Sequence, residues 1–195
     1  MKYINQLEYP HIPYRTRTKD DSVKDKSGDV AKSGCGLCSI CMILEHLIDA
    51  ELSLEECVSI SDACEANHSV GTDMSILAPV IAERYGLDYR NTNDLSEAIE
   101  HLRCGGEIIA HMGVPEGKEV GILADVGHYV CLIATDGKEF CVLDPAYTPE
   151  KYAHPYRAGR VNVAHAPFLY APIDLVYEDA RPGRVRYHLF SRKKD

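Results

Sequence analysis

The densest group of reactive side chains in the chain is Gly34-Cys35-Gly36-Leu37-Cys38-Ser39-Ile40-Cys41, with three thiols at spacing i, i+3, i+6. Such a group can bind a metal, supply a nucleophile or simply fill a core. The two-residue spacings match part of an iron–sulfur run, but the fourth cysteine and its proline are missing. Zinc sites bring two separated pairs, and no second Cys-x-x-Cys or Cys-x-x-His pair exists here. A helix starting at Gly36 would also set the outer thiols about 9 Å apart along its axis, too far for one tetrahedral ion. A metal protein built on Cys35, Cys38 and Cys41 is therefore the weakest of the three readings.

Packing accounts for Cys38 and Cys41, which share a helix with an apolar stripe, because free cysteine is among the most buried residue types. Cys57, Cys64, Cys104, Cys131 and Cys141 each stand in or beside an apolar run and read the same way. Cys35 differs. It lies between two glycines where a helix begins, so a substrate backbone could approach closely. The positive end of the helix and its unpaired N–H groups favour the thiolate and can hold a developing oxyanion.

A thiolate nucleophile needs a proton shuttle. Of nine histidines, His128 is best placed, because Gly127-His128-Tyr129-Val130 opens the most apolar strand pattern and sets the imidazole at a strand edge. The next strand ends in Leu143-Asp144-Pro145. Antiparallel pairing about Asp136-Gly137, a two-residue hairpin signal, brings His128 and Asp144 to one end of a sheet. A Cys-His-Asp arrangement needs that placement. Taken singly, His128 could be a strand-start residue satisfied by backbone, and Asp144 an Asx turn before proline.

Elements that must position these residues are legible from periodicity. A helix is expected from about Cys35 to Ala50, and a second from the capping box at Ser53 to about Asn67. A third follows Thr72-Asp73 and ends at Tyr85 before Gly86, a left-handed cap. A fourth runs from Asp94 to just before Gly105-Gly106. Strands are expected at 107–112, 128–135, 139–143 and 184–190. Residues 144–172, with five prolines, read as a long loop or a set of short strands. Helices first and antiparallel strands second make α+β, with the N-terminal helices packed on one side of a C-terminal sheet.

The chain has 195 residues, 45% of them hydrophobic and 26% charged, with a net charge of −9. That length and composition suit a single globular domain over 1–195. The acidic balance lacks the basic footprint of nucleic-acid binding. No apolar stretch reaches the roughly 18 to 20 residues that span a bilayer. The first residues have no apolar core typical of a signal peptide, so a cytoplasmic chain with reduced thiols is expected. Residues 14–33, about half charged, read as an exposed loop free to move.

Gly34-Cys35-Gly36 opening a helix, then Gly127-His128-Tyr129-Val130, an Asp-Gly turn and Leu143-Asp144-Pro145, resembles the C39-like cysteine peptidases of the papain-like superfamily. The resemblance covers about Tyr3 to Asp144. It implies a papain-like fold, Cys35 as nucleophile, His128 as general base and acid, and Asp144 as the orienting residue. It also implies an oxyanion-hole glutamine upstream of the cysteine. Gln6, in Tyr3-Ile4-Asn5-Gln6, matches that aromatic-x-x-Gln pattern, although the charged loop separates it from Cys35. The chain departs from the family in having Leu37-Cys38 where Pro-Thr or Pro-Ala often follows the Gly-Cys-Gly. Leader peptidases of the wider family are fused to membrane transporters, and nothing here spans a membrane, so their substrate does not carry over.

The resulting expectation is a thiol-dependent hydrolase of a peptide or small amide, with no metal and no other cofactor. A non-catalytic peptide-binding module on the same fold is the alternative. His68 reads as part of an interhelix loop. His154, His165, Tyr147, Tyr152, Tyr156 and Tyr170 crowd the proline-rich segment, either lining a groove or packing the loop. The basic stretch 181–194 reads as a solvated strand end.

Overall fold

A computed structural model of the chain describes residues 2–17, 27–180 and 184–193. An extended N-terminal segment leads through a 3-10 turn (Gln6–Glu8) to helix α1 (Val30–Ser33), which abuts α2 (Cys35–Ile48). Helices α3 (Leu54–Ala63) and α4 (Met74–Tyr85), strand β1 (Leu87–Thr92) and helix α5 (Leu95–Arg103) follow. Next come β2 (Glu107–Met112), β3 (His128–Thr135), β4 (Glu139–Leu143), α6 (Pro149–Ala153), β5 (Asn162–His165), β6 (Phe168–Pro172), α7 (Ile173–Asp179) and β7 (Tyr187–Arg192). The strands form one antiparallel sheet in the order β1-β7-β2-β3-β4-β6-β5. The architecture is α+β.

Local chemistry explains the helix boundaries. The side chains of Asp29, Ser53, Asp73 and Asp94 accept first-turn N–H groups of α1, α3, α4 and α5, which would otherwise be orphaned. Gly86 closes α4 at φ 68°. Asp136 accepts the N–H groups of Lys138 and Glu139 at 2.7 and 2.8 Å. This widens the β3–β4 turn to the four residues between the pair Thr135 and Phe140, rather than the expected two.

Helices cover both faces of the sheet, which corrects the expectation of one. Successive strand side chains point to opposite faces. Ile109, Tyr129, Cys131, Leu143 and Phe190 join a core with α2, α3 and α4. Ile108, Ala110, Val130, Leu132, Val142 and Leu189 join a second core with Ala98 and Leu102 of α5 and Ile173 and Val176 of α7. Strands β2 and β3 are buried on both sides, so their unbroken apolar runs follow from two coverings.

Of the segment read as a charged loop, residues 18–26 lie outside the described residues. Its two ends are structured. Tyr14 is fully buried and its hydroxyl bonds the Ser61 and Thr72 hydroxyls, both at 2.9 Å. Residues 30–33 form α1, with Val30 in the core. The proline-rich segment holds a helix and two strands, and α7 follows directly on β6. Among the described residues no helix is long and apolar enough to cross a membrane.

Candidate functional site

Cys35 is the first residue of α2. Its N-cap is Gly34, which supplies no capping side chain, so the first-turn N–H groups are left for other acceptors. The glycines on either side of it answer to packing. A Cβ on Gly34 would fall 2.5 Å from both the carbonyl oxygen and Cγ1 of Val30, and one on Gly36 would fall 3.0 Å from Met74 Cε and Thr72 Cβ. The close approach inferred from sequence is therefore that of α1 and α4 to the start of α2.

The half-buried Cys35 thiol faces His128 across the join between α2 and β3. Burial alone would raise its pKa. The hydrogen bond and charge of His128, with the N–H groups of Tyr129 and Gly36, outweigh burial and hold the thiol below its ordinary range. Cys38, one turn on, has no such partners, and burial pushes it well up. Burial likewise pushes Cys131 up to about 12.

On the imidazole, Nε2 lies 2.6 Å from Oδ1 of Asp144, leaving Nδ1 as the nitrogen for Cys35. Burial and the Lys151 ammonium oppose a charged ring. The charge of Asp144 and the hydrogen bonds to Asp144 and Cys35 prevail, and the His128 pKa is raised.

Asp144 is fully buried and all its oxygens are engaged. Oδ1 accepts the His128 ring and the Ala146 N–H at 2.8 Å. Oδ2 accepts the Lys151 ammonium at 2.5 Å and the Tyr152 hydroxyl at 2.7 Å. Its backbone carbonyl accepts the Tyr3 hydroxyl at 2.6 Å. Burial would favour the acid form. The charges of Lys151 and His128 and their hydrogen bonds overcome it and hold the carboxyl far below the usual range. The Asx turn and the contact to His128 coexist on one oxygen, so the two accounts of Asp144 do not compete.

Gln6 is buried in the 3-10 turn and packs on α1. Its backbone N–H donates to Pro145 O at 2.7 Å, one residue past Asp144. Its side-chain Nε2 donates to Ala31 O at 2.7 Å, four residues ahead of Cys35. Oε1 has no partner among the described residues. The fold thus closes the long sequence gap between Gln6 and the start of α2.

Sequence reasoning missed Lys151 and Arg157. Lys151 sits on α6, hidden in the proline-rich segment. Arg157 is buried, with Nε on Gly121 O, Nη1 on Lys151 O and Nη2 on Asp125. Thr148-Pro149, a capping residue before a proline at the first helical position, was the available signal for α6. Of the crowded tyrosines, Tyr152 reaches Asp144 and Tyr147 stacks on Tyr152 at 5.6 Å. His154 accepts the Tyr156 N–H at 3.2 Å, His165 is exposed in β5, and His68 is half-buried in a loop.

Among the described residues no three His, Cys, Asp or Glu side chains converge as a metal site requires. Cys38 and Cys41 lie in the core, as do Cys57, Cys131 and Cys141. Cys104 corrects the packing expectation. It is exposed at the end of α5, its thiol donating to Glu100, and Cys64 is only half-buried.

A hollow of about 590 Å³ has Asp73, Ser75, Asn93, His111, Tyr129 and Arg184 among its walls. Tyr129 follows His128 in sequence. It stacks on His111 at 4.5 Å and interacts electrostatically with Cys35. The hollow offers both charges and a flat aromatic wall.

No family model matches the chain, and no curated protein matches it in sequence. Among solved structures it resembles that of an inferred C39-like peptidase from Bacillus anthracis, with a TM-score of 0.58 and 11% identity, over 100% of this chain and 96% of that one. At that identity the likeness speaks for the fold.

Proposed function

We propose that this chain is a thiol-dependent hydrolase of peptide or related amide bonds, carried by a single papain-like domain of the C39-like kind. One observation carries the reading. A thiol of lowered pKa at a helix start is bonded to an imidazole whose other nitrogen is held by a buried, ionised carboxylate. Perturbed groups gathered in that way mark functional sites. The likeness of fold to an inferred C39-like peptidase supports it.

In the proposed reaction the Cys35 thiol gives its proton to His128, and the thiolate attacks the carbonyl carbon of the amide. The oxygen that becomes anionic takes hydrogen bonds from the Cys35 N–H and from the Gln6 amide N–H that Ala31 does not engage. His128 then protonates the leaving amine, the C–N bond breaks and a thioester remains. Water, deprotonated by His128, hydrolyses the thioester and restores the thiol. Asp144 holds the ring in the tautomer and orientation that these transfers need. In this reading the hollow walled by Tyr129 receives a substrate side chain.

Replacement of Cys35 by Ala tests this directly. It should abolish peptide hydrolysis and the fast iodoacetamide alkylation expected of Cys35 well below pH 8, while Cys38→Ala keeps both. Equal loss from the two changes would overturn the assignment. Binding of peptides without turnover by a chain whose Cys35 alkylates slowly would point to a binding module instead.

A further inference from the structure

The carboxylate behind His128 carries a second cation. Lys151 Nζ lies 2.5 Å from Asp144 Oδ2, with its side chain 9% exposed and that of Asp144 fully buried. A buried ammonium is costly unless paired, so its place here is specific. The backbone of Lys151 is fixed at both ends: its N–H donates to Thr148 Oγ1 at 3.1 Å, and its carbonyl accepts Arg157 Nη1 at 3.1 Å. These contacts hold the start of α6 against the Asp144 turn, and the ammonium lies within reach of Oδ2 there.

We propose that Lys151 is a positioning residue of this site, its ammonium offsetting part of the Asp144 charge so that His128 releases its proton to a leaving group more readily. The inference rests on the function proposed above. With Asp144 facing His128 alone, a full buried carboxylate charge would stabilise the imidazolium and make it a weak acid. Sharing Asp144 between two cations divides that attraction, and Lys151 also repels the protonated ring directly. The direction of its effect on His128 agrees with this, since the Lys151 charge lowers the ring's pKa while Asp144 raises it. The other titratable groups around the pair, among the described residues, are Tyr3 from the N-terminal segment, Cys35 from α2, Cys131 from β3, and Tyr152 and Arg157 from α6 and the turn after it. Tyr152 shares Oδ2 as a neutral donor and cannot replace the missing positive charge.

The test is an NMR titration of the His128 ring, with kcat/KM against pH on a peptide substrate, in the full chain and in Lys151→Gln, Lys151→Arg and Cys35→Ala. Glutamine keeps a donor for Asp144 and removes the charge. It should raise the His128 midpoint by about one pH unit and move the alkaline limb of the activity profile upward with it. Arginine should leave both in place. An unchanged midpoint in a folded Lys151→Gln protein overturns the inference, and so does an equal shift in Lys151→Arg. Cys35→Ala reports separately on the underlying reading. It should lower the His128 midpoint, and no change there would break the thiol–imidazole pairing whatever Lys151 does.

Discussion

The Tyr3 hydroxyl donates a 2.6 Å hydrogen bond to the backbone carbonyl of Asp144, across 141 residues of sequence. The next residues continue the seam, Asn5 Nδ2 reaching Tyr147 O at 2.9 Å and the Gln6 N–H reaching Pro145 O at 2.7 Å. The N-terminal segment therefore braces the turn that presents Asp144 and carries Gln6 to its place in one stroke. Tyr3→Phe should cost about 1 kcal/mol of stability, the usual net worth of one such bond. Hydrolysis should slow more than that loss of folded protein explains. Denaturant melts set beside kcat measured at saturating substrate check both.

Asp144→Asn keeps the shape and removes the charge. The Lys151 ammonium is then buried without an anion, and breaking a buried pair from one side costs about 3–5 kcal/mol. Asp144→Asn combined with Lys151→Met should regain much of that stability but none of the activity. A double-mutant cycle on thermal unfolding, with turnover alongside, tests the coupling.

Acid should unfold the protein through the same residue. The folded-state pKa of Asp144 lies below its unfolded value of 3.8, so its contribution is complete above that value and is lost as pH falls below it. Unfolding free energy measured from pH 5 down to pH 2 should drop steeply in the parent chain and more shallowly in the Asp144→Asn, Lys151→Met protein.

Asp179 has the opposite sign. Burial raises its pKa to about 6, against the Ile122 N–H that its Oδ2 accepts, and Oδ1 has no partner among the described residues. Folding therefore favours the protonated acid, and stability falls as pH rises from 3.8 to about 6. Asp179→Asn should stabilise the chain by about 1–2 kcal/mol at pH 8 and by almost nothing at pH 4. A destabilised variant at pH 8 would refute this.

The two glycines beside Cys35 should differ in tolerance. A Cβ at Gly34 meets a backbone oxygen at 2.5 Å, whereas at Gly36 the neighbours are side chains at 3.0 Å or more. Gly36→Ala should cost about 1–3 kcal/mol, the range for overpacking, and Gly34→Ala more. Chemical denaturation of both variants ranks them.

The helices and the central strands were readable because periodicity and caps agree there. Ser53, Asp73 and Asp94 each announce a helix start, and β2 to β4 are unbroken apolar runs bounded by Gly and Asp. Cys35, His128 and Asp144 stand at such boundaries, so the residues that meet in the site were named together. Strand β1 was missed because Asp88, Arg90 and Asn91 lie on an edge and face water, leaving little apolar alternation. Helix α7 was missed because it starts directly on the Pro172 that ends β6, with no side-chain cap to mark it. Lys151 escaped notice for a different reason. Nothing in a Lys-Tyr pair beside a proline says that the ammonium will be buried, and only the folding of α6 under Asp144 makes it so.

Strand β7 lies between β1 and β2, although about 75 residues separate it from β2 in sequence. Until residues 187–192 are in hand, β1 has no strand to pair with and β2 keeps an open edge. A ribosome threading out this chain would thus hold the thiol, the imidazole and the carboxylate outside the exit tunnel before the sheet beneath them can close. Long-range pairing of this kind is slow. The assembled site is accordingly a late event in the life of the nascent chain, and a protein stalled or clipped before residue 187 would present unfinished strands instead of a closed sheet.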